Sequence, residues 1–568
     1  MSEQSNKPQE VTINIDGKDY QVPAGMNLID AVKQASGKEI PHYCYHPKLS
    51  VVGNCRMCMV EMGTPMVDRG TGQPMLDEKG APKIGWMPKP AIACASKATE
   101  GLHVRTDSPM VQECRKGTLE FLLINHPLDC PICDQAGECR LQEFATDYGR
   151  GYSRFVEHKN VKPKRTQIGP RVMLDDERCI LCSRCIRFSR EIAKDDVLGF
   201  VNRGSYSTLT TYPGRQLENN YSLNTVDLCP VGALTDTDFR FKMRVWFLKP
   251  VSSICTESSV GVNTQVWSRE GKIYRITPRE NNAVNDSWMP DSGRRLYKQV
   301  ESENRLLSCK IGGAEANFGD AIAKAASLLG SEKLAIVGSA HSSVEEQFTL
   351  ALLAKARGAP VYVPAHLGEG DGMLISADRC PNTRGALVTG LISALPKPKL
   401  SELESAISSG KIDALLVVRE DITQAGIDAA KLAGIRIIYI GTHSNATSQA
   451  AQVVIPAPTV FERAGTFINQ NFRIQKFNAC VPAPAGMRAE LKVISEIAQA
   501  MGVEGLDGLT VPQVWKQMTT EVQELTGLSF ESIPDDGRQL QAGRFASIRF
   551  PEGPSLRYNP ESTSTATA

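Results

Sequence analysis

Cysteine placement is the feature that most limits what this chain can become. Twelve of the sixteen cysteines fall within residues 1–230, and four are spread over the remaining 338. A disulfide-knitted secreted protein needs pairs along its whole length. Cysteines gathered at short spacings in a reducing compartment point instead to metal or redox sites. The opening MSEQSNKPQE is polar and lacks the apolar core of an export signal, and no apolar run reaches the 18 residues a bilayer span requires. Lys+Arg (64) and Asp+Glu (63) nearly cancel, so no nucleic-acid-binding surface is expected. At about 150 residues per domain, 568 residues predict roughly four domains.

The dense end holds three groups. Cys44, Cys55, Cys58 and Cys94 read C-x10-C-x2-C with a distant fourth cysteine. That pattern suits a 2Fe-2S site, in which a loop supplies three thiolates. Structural zinc is the alternative, but it would want two C-x2-C knuckles, and Cys94 has no neighbouring cysteine. The second group is His126, Cys130, Cys133 and Cys139. Three cysteines cannot serve the four irons of a cubane alone, and His126 is the nearest further donor. The third group is Cys179, Cys182 and Cys185, with Cys229-Pro230 downstream. This is the bacterial ferredoxin run C-x2-C-x2-C…C-P, whose last cysteine can serve a neighbouring cluster. On spacing alone, Cys229 could therefore join the second group in place of His126. Arg178, Arg184, Arg187 and Arg190 surround the third group. They read either as a solvated surface or as charges that shift a cluster's potential. Cys114, Cys255, Cys309, Cys380 and Cys480 are isolated and read as ordinary buried thiols.

Around these groups the chain changes character. Val11, Ile13 and Ile15 alternate, Asp16-Gly17-Lys18 makes a turn, Tyr20 and Val22 follow, and 27–35 has helix spacing. The pattern fits a β-grasp domain. Residues 61–93 carry Gly and Pro throughout and read as an extended insertion. Residues 110–125 predict a helix, and 158–170 a basic linker. From about 330, apolar strands (334–337, 361–363, 414–418, 435–440, 453–455) alternate with helical stretches such as 344–357. That alternation predicts a doubly wound α/β domain with a parallel sheet. No Gly-x-Gly-x-x-Gly follows a strand and no P-loop occurs, so no nucleotide or FMN site is expected.

Four segments together resemble the large iron–sulfur subunits of NADH-quinone oxidoreductase, respiratory complex I. They are PHYCYHPKLSVVGNCRMCMVE (41–61), INHPLDCPICDQAGECRLQ (124–142), DDERCILCSRCIRFSREI (175–192) and LCPVGALT (228–235). The resemblance implies a 2Fe-2S cluster on Cys44, Cys55, Cys58 and Cys94. It implies one 4Fe-4S cluster on His126, Cys130, Cys133 and Cys139, and a second on Cys179, Cys182, Cys185 and Cys229, which favours His126 over the Cys229 swap. TVFERAGTFINQNFRIQ (459–475) is similar to a phrase of molybdopterin oxidoreductases, so the α/β part looks like such a domain without its cofactor. Some family members carry a further cluster. Here its positions hold Cys255, Ser258, Val262 and Pro290, so that cluster is not expected.

The implied organisation is multidomain, α/β and α+β. It comprises a 2Fe-2S β-grasp domain (1–105), a 4Fe-4S domain with one histidine and three cysteines as ligands (106–150), a ferredoxin-like 4Fe-4S domain (151–245), a molybdopterin-oxidoreductase-like domain (246–550) and a disordered tail (551–568). The resemblance further implies an electron relay with no catalytic pocket of its own. Its partners would be the flavin/NADH-binding subunit, a small 2Fe-2S subunit, a ferredoxin-like 4Fe-4S subunit and the quinone-site subunits. It would lie on the cytoplasmic side of a bacterial inner membrane and meet the membrane only through the complex. The rival readings are a molybdopterin formate dehydrogenase, an iron-only hydrogenase and a hydrogenase-linked diaphorase subunit. The first needs the missing cluster motif, and the second needs more clustered cysteines than 260–568 contains.

Overall fold

A computed structural model describes residues 9–552 except Arg69, Lys79 and Asp507. Of the expected tail, 553–568 lie outside the described residues. The chain forms two compact units that divide between Trp246 and Phe247.

In the first unit, β1 (Glu10–Ile15) and β2 (Lys18–Pro23) form a hairpin on the predicted turn, with Asp16 and Gly17 both at positive φ. Val11, Ile13 and Ile15 face the core at 7, 0 and 2% exposure. Asn27 caps α1 (Leu28–Ser36) by accepting from the Ile29 amide, and Gly37 ends it at φ 73°. The sheet is completed by β3 (Met59–Pro65), β4 (Ile84–Trp86), β5 (Ala91–Ile92) and β6 (Leu102–Arg105). Its order is β2-β1-β6-β3-β4, with β5 beside β3 and β1 parallel to β6. This is the expected β-grasp.

Residues 61–93 are extended, as expected, and their backbone is paired. The β3–β4 pairing continues outward as a ribbon through bridges Val67–Pro74 and Leu76–Pro82. The Met66 amide donates to Lys83 and the Lys83 amide to Met75, each at 2.8 Å. Gly72 and Gly80 sit at the ribbon's turns, so the glycines mark reversals rather than loss of structure.

The unit continues with α2 (Pro109–Leu123) and α3 (Arg140–Tyr148), then β7 (Thr166–Gln167) and β8 (Val172–Leu174). After them come α4 (Arg184–Arg187), β9 (Leu198–Val201), β10 (Thr208–Thr211), α5 (Asn224–Leu228) and β11 (Leu234–Asp236). Strands β11-β8-β7 form one small sheet and β9-β10 a hairpin.

The second unit opens with an antiparallel meander, β12 (Lys249–Ile254), β13 (Asn263–Arg269) and β14 (Lys272–Pro278), followed by α6 (Asp291–Arg294). Its main sheet has seven strands: β15 (Cys309–Ile311), β16 (Ala314–Ala316), β17 (Leu334–Val337), β18 (Val361–Tyr362), β19 (Ala414–Val418), β20 (Arg436–Gly441) and β21 (Val453–Pro456). The order is β16-β15-β21-β20-β19-β17-β18. Strands β17 to β21 are parallel, as expected, and β15–β16 adds an antiparallel hairpin at one edge.

Helices α7 (Phe318–Leu329), α8 (Val344–Arg357), α9 (Thr383–Val388), α10 (Ser401–Ser408) and α11 (Ala446–Ala450) connect these strands. Alternate strand residues feed two cores. Ile336, Leu416 and Ile438 pack on one face, and Val337, Val417 and Ile437 on the other. Covered on both faces, the strands read as unbroken apolar runs. Strands β22 (Gly465–Ile468) and β23 (Arg473–Phe477), helices α12 (Glu490–Ala500) and α13 (Val511–Glu521), and β24 (Arg538–Gln539) complete the unit.

Candidate metal centres

The first thiol group is held by the loop between α1 and β3 together with the turn after β5. Gly53 and Arg56 sit at φ 61° and 59°, and that left-handed backbone curls the C-x2-C segment back on itself. A Cβ on Gly53 would come within 2.9 Å of Ile92, so the glycine lets the loop lie against β5. Cys44, Cys58 and Cys94 are each 1% exposed, and Cys55 is half-buried. The sulfurs of Cys44 and Cys55 form one hydrogen-bonded pair and those of Cys58 and Cys94 another, with Cys44 also bonded to Cys94. These bonds pull the Cys44 thiol down and push Cys55 and Cys94 up, because one sulfur takes the charge and its neighbours donate to it. The four sulfurs thus follow one another as Cys55, Cys44, Cys94 and Cys58, a spread donor set that suits two irons better than one ion. A single tetrahedral zinc would draw all its sulfurs to about 3.8 Å of one another. Among the described residues, no three of these donors come within 4.8 Å of each other.

The third thiol group follows the same local logic. Leu181 and Ser183, between successive cysteines, adopt φ 55° and 60°, a backbone choice that costs of order 1 kcal/mol each away from glycine. The result is that Cys179, Cys182, Cys185 and Cys229 line one small cavity, together with Ile180, Leu209, Val231 and Leu234. Backbone amides of Leu181, Arg184 and Ile186 point at the first three sulfurs, and those of Val231, Ala233 and Leu234 at the fourth. Burial outweighs these donors and pushes all four thiols up, Cys229 to about 11. Bare thiolates are therefore unfavourable there, and a cationic iron core would relieve them. Cys229 lines the cavity of this group, and it also packs on the apolar cluster that holds Cys139.

The second group is more open. Cys133 and Cys139 are buried and Cys130 is exposed, on the turn between α2 and α3. Burial pushes Cys133 and Cys139 up. His126 sits just beyond α2, half-buried, and burial holds its imidazole neutral by bringing its pKa down to about 4. Neutral imidazole is the form that binds metal. Gly232 makes room for this group, since a Cβ there would meet the Cys133 sulfur at 2.3 Å.

The groups share walls. One apolar cluster of Tyr43, Met57, Leu119, Leu141, Phe144, Val231 and Ala233 touches Cys55 and Cys139, and Cys179 and Cys229 as well. The Tyr43 hydroxyl is buried within it, with no hydrogen-bond acceptor among the described residues, close to Cys139 and Cys55. Thiolate or bridging sulfide is the acceptor such a site lacks. Of the four arginines, only Arg190 is a surface residue, with its side chain 60% exposed. Arg178 is 4% exposed and pairs with Asp129 at 2.8 Å and Asp175 at 3.2 Å. Arg184 donates to the carbonyls of Tyr45 and Leu228. Arg187 donates to those of Cys44 and Cys182. Sequence spacing marks these arginines but not their carbonyl partners, because the two loops meet only after folding.

In the fourth region Cys255 is buried beside Gly293 and the Glu257 carboxylate, with Ser258, Val262 and Pro290 at the other positions, so it offers one thiol.

Five family models match successive parts of the chain. They are a 2Fe-2S iron-sulfur cluster binding domain (8–109), the NADH-ubiquinone oxidoreductase-G iron-sulfur binding region (115–154) and the ferredoxin-like domain of NADH-quinone oxidoreductase subunit 3 (169–235). The other two are an NDSU1/NuoG-like 4Fe-4S domain (248–298) and molybdopterin oxidoreductase (298–500). The chain is 40% identical over 359 residues to the G subunit of NADH-quinone oxidoreductase of Rickettsia conorii, covering 62% of this chain and 50% of that one. It is 39% identical over 313 residues to the mitochondrial NADH dehydrogenase [ubiquinone] iron-sulfur protein 1 of Solanum tuberosum, covering 55% and 39%. The chain thus spans about half the length of the first of these relatives. A crystal structure of NAD+-reducing [NiFe]-hydrogenase matches 41% of this chain and 91% of that one, at 28% identity and a TM-score of 0.33.

Proposed function

Given that the chain is a homologue of the NADH-quinone oxidoreductase G subunit over 62% of its own length, we propose that it is an electron-carrying subunit of that complex's peripheral arm. In this reading Cys44, Cys55, Cys58 and Cys94 hold a 2Fe-2S cluster. His126, Cys130, Cys133 and Cys139 hold one 4Fe-4S cluster, and Cys179, Cys182, Cys185 and Cys229 hold a second. When bound, such clusters supply one-electron storage and transfer.

The chain's own residues do the rest. The amides facing Cys179, Cys182, Cys185 and Cys229 stabilise negative charge on sulfur and so favour the reduced state. The Tyr43–Phe144 cluster excludes water between the groups, and Arg187 fixes the first loop against the third. Electrons would arrive from the flavin/NADH-binding subunit and leave through a ferredoxin-like 4Fe-4S subunit toward quinone. A small 2Fe-2S subunit and the quinone-site subunits would be its other neighbours. Among the described residues, no helix is long and apolar enough to cross a membrane. The proposed place is peripheral, on the cytoplasmic side of a bacterial inner membrane.

The observation that carries this reading is the shared apolar cluster that borders a cysteine of every group. Iron and sulfide analysis with low-temperature EPR on the purified chain tests it. About ten irons, one binuclear signal and two tetranuclear signals are expected. Zinc in place of iron, or a stoichiometric molybdenum content, would overturn it.

A further inference from the structure

Cys380 looks isolated in the sequence, 39 residues from His341 and 14 from His366. Folding brings the three together. One donor atom from each lies within 4.8 Å of the other two, the only such trio of His, Cys, Asp or Glu among the described residues. We propose that His341, His366 and Cys380 form a binding site for a single zinc-class divalent ion at the carboxyl edge of the parallel sheet.

Topology places the site. Strand β17 runs into Gly338-Ser339-Ala340-His341, β18 into Val363-Pro364-Ala365-His366, and β19 into Arg419-Glu420. In the sheet β17 lies between β18 and β19. The chain leaves β17 toward β18 on one side and leaves β19 toward β20 on the other. Neighbouring strands whose connections depart in opposite directions open a crevice at their carboxyl ends, where doubly wound sheets take ligands.

The loop bearing Cys380 is stitched to both histidine loops. The Arg379 amide donates to the His366 carbonyl at 2.8 Å, and the Gly368 amide to Ala377 at 3.0 Å. The Asn382 amide donates to the Ala340 carbonyl at 3.0 Å. Asp378 accepts the Cys380 amide at 3.0 Å, and the thiol itself is fully buried.

Glu420, 3% exposed, completes the arrangement. One carboxylate oxygen takes the Ser339 hydroxyl, and the other faces His366 Nε2 at 2.7 Å. A carboxylate on the far nitrogen is how metal-binding imidazoles are oriented. While that bond holds, Nδ1 is the nitrogen His366 has free. No described residue hydrogen-bonds the His341 imidazole, and its ring packs edge-to-face with that of His366, with ring centroids 5.4 Å apart. Two imidazoles and one thiolate match zinc's preferences, and the half-exposed His366 leaves a fourth position open to solvent. Binding exchanges the Cys380 S–H for a sulfur–metal bond and releases the proton to water, so affinity rises with pH.

The test uses the full purified chain with its clusters, equilibrated with Zn²⁺ and freed of excess ion. One tightly held zinc per chain is expected. Its X-ray absorption should show one sulfur at about 2.3 Å and nitrogen at about 2.0 Å. His341→Ala, His366→Ala and Cys380→Ser should each lose that zinc while iron content stays unchanged, and Glu420→Gln should weaken binding about 10-fold or more. No retained zinc in the parent chain, or an all-sulfur shell, would overturn the proposal, and so would zinc retained by all three variants. The absorption spectrum of the parent decides the matter even if a variant fails to fold.

Discussion

Arg187 donates through Nη2 to the backbone carbonyl of Cys44 at 2.5 Å, and the same nitrogen reaches the carbonyl of Cys182 at 3.4 Å. A third bond, from Nη1, goes to Ser50. Arg187 is 8% exposed, so these carbonyls have little water to turn to.

Arg187→Ala should therefore cost about 1–3 kcal/mol for each carbonyl left stranded, seen as a clear drop in melting temperature. It should also move the potentials of the first and third cysteine groups downward, since a nearby positive charge favours the reduced form. Arg187→Lys keeps the charge but not the fork. It should restore the potentials and leave most of the stability loss. Redox titration followed by EPR, beside a thermal melt, separates the two effects. Unchanged potentials in both variants would remove the electrostatic role.

Gly232→Ala places a carbon 2.3 Å from the Cys133 sulfur and 3.1 Å from Gln135. Neither neighbour is the free end of a flexible chain. The variant should lose the signal of the second cysteine group while the third, whose cavity Gly232 does not line, keeps its own. Iron content and EPR check this. Loss of both signals together would mean that the glycine supports the whole unit.

His126→Cys should keep a cluster and lower its potential, because a thiolate brings one more negative charge than imidazole. An EPR-monitored titration that finds the same midpoint would show that His126 is not a ligand.

His46 gives a pH dependence with a definite sign. Burial, then the charges of Arg184 and Arg187, bring its pKa down to about 3. Its Nδ1 accepts the Lys48 amide at 3.2 Å, a bond that protonation would end. The unfolded chain protonates first, near pH 6.5. Stability is therefore full above that pH and is lost as pH falls toward about 3, by about 1.4 kcal/mol per unit at most. Denaturant melts of the parent and of His46→Gln between pH 4 and 7 should diverge, with the variant flatter.

The parts of this molecule that can be read without coordinates are those carried by local spacing. The alternation Val11-Ile13-Ile15, the Asp16-Gly17 turn and the apolar runs at 334–337 and 414–418 specify their elements without long-range help. The three cysteine groups also announce themselves, because each is built mainly from one loop. The pairing of the extended ribbon at 66–83 is hidden by its glycines and prolines, whose turn positions do not say which backbone groups meet. Arg187 reads as a candidate surface charge because its partners are backbone carbonyls, which have no sequence signature. Cys380 is hidden for a related reason. Its companions arrive from the ends of two other strands, and strand order in a parallel sheet is not written in any one segment.

One wall has a consequence for ancestry. Tyr43, Met57, Leu119 and Val231 come from four separate stretches of chain, yet they border thiols of all three groups. No one of those groups can be exchanged by recombination without leaving its neighbours' surfaces unmatched. Residues up to about 240 should therefore pass between lineages as a single block, with foreign partners grafted before or after it and rarely within.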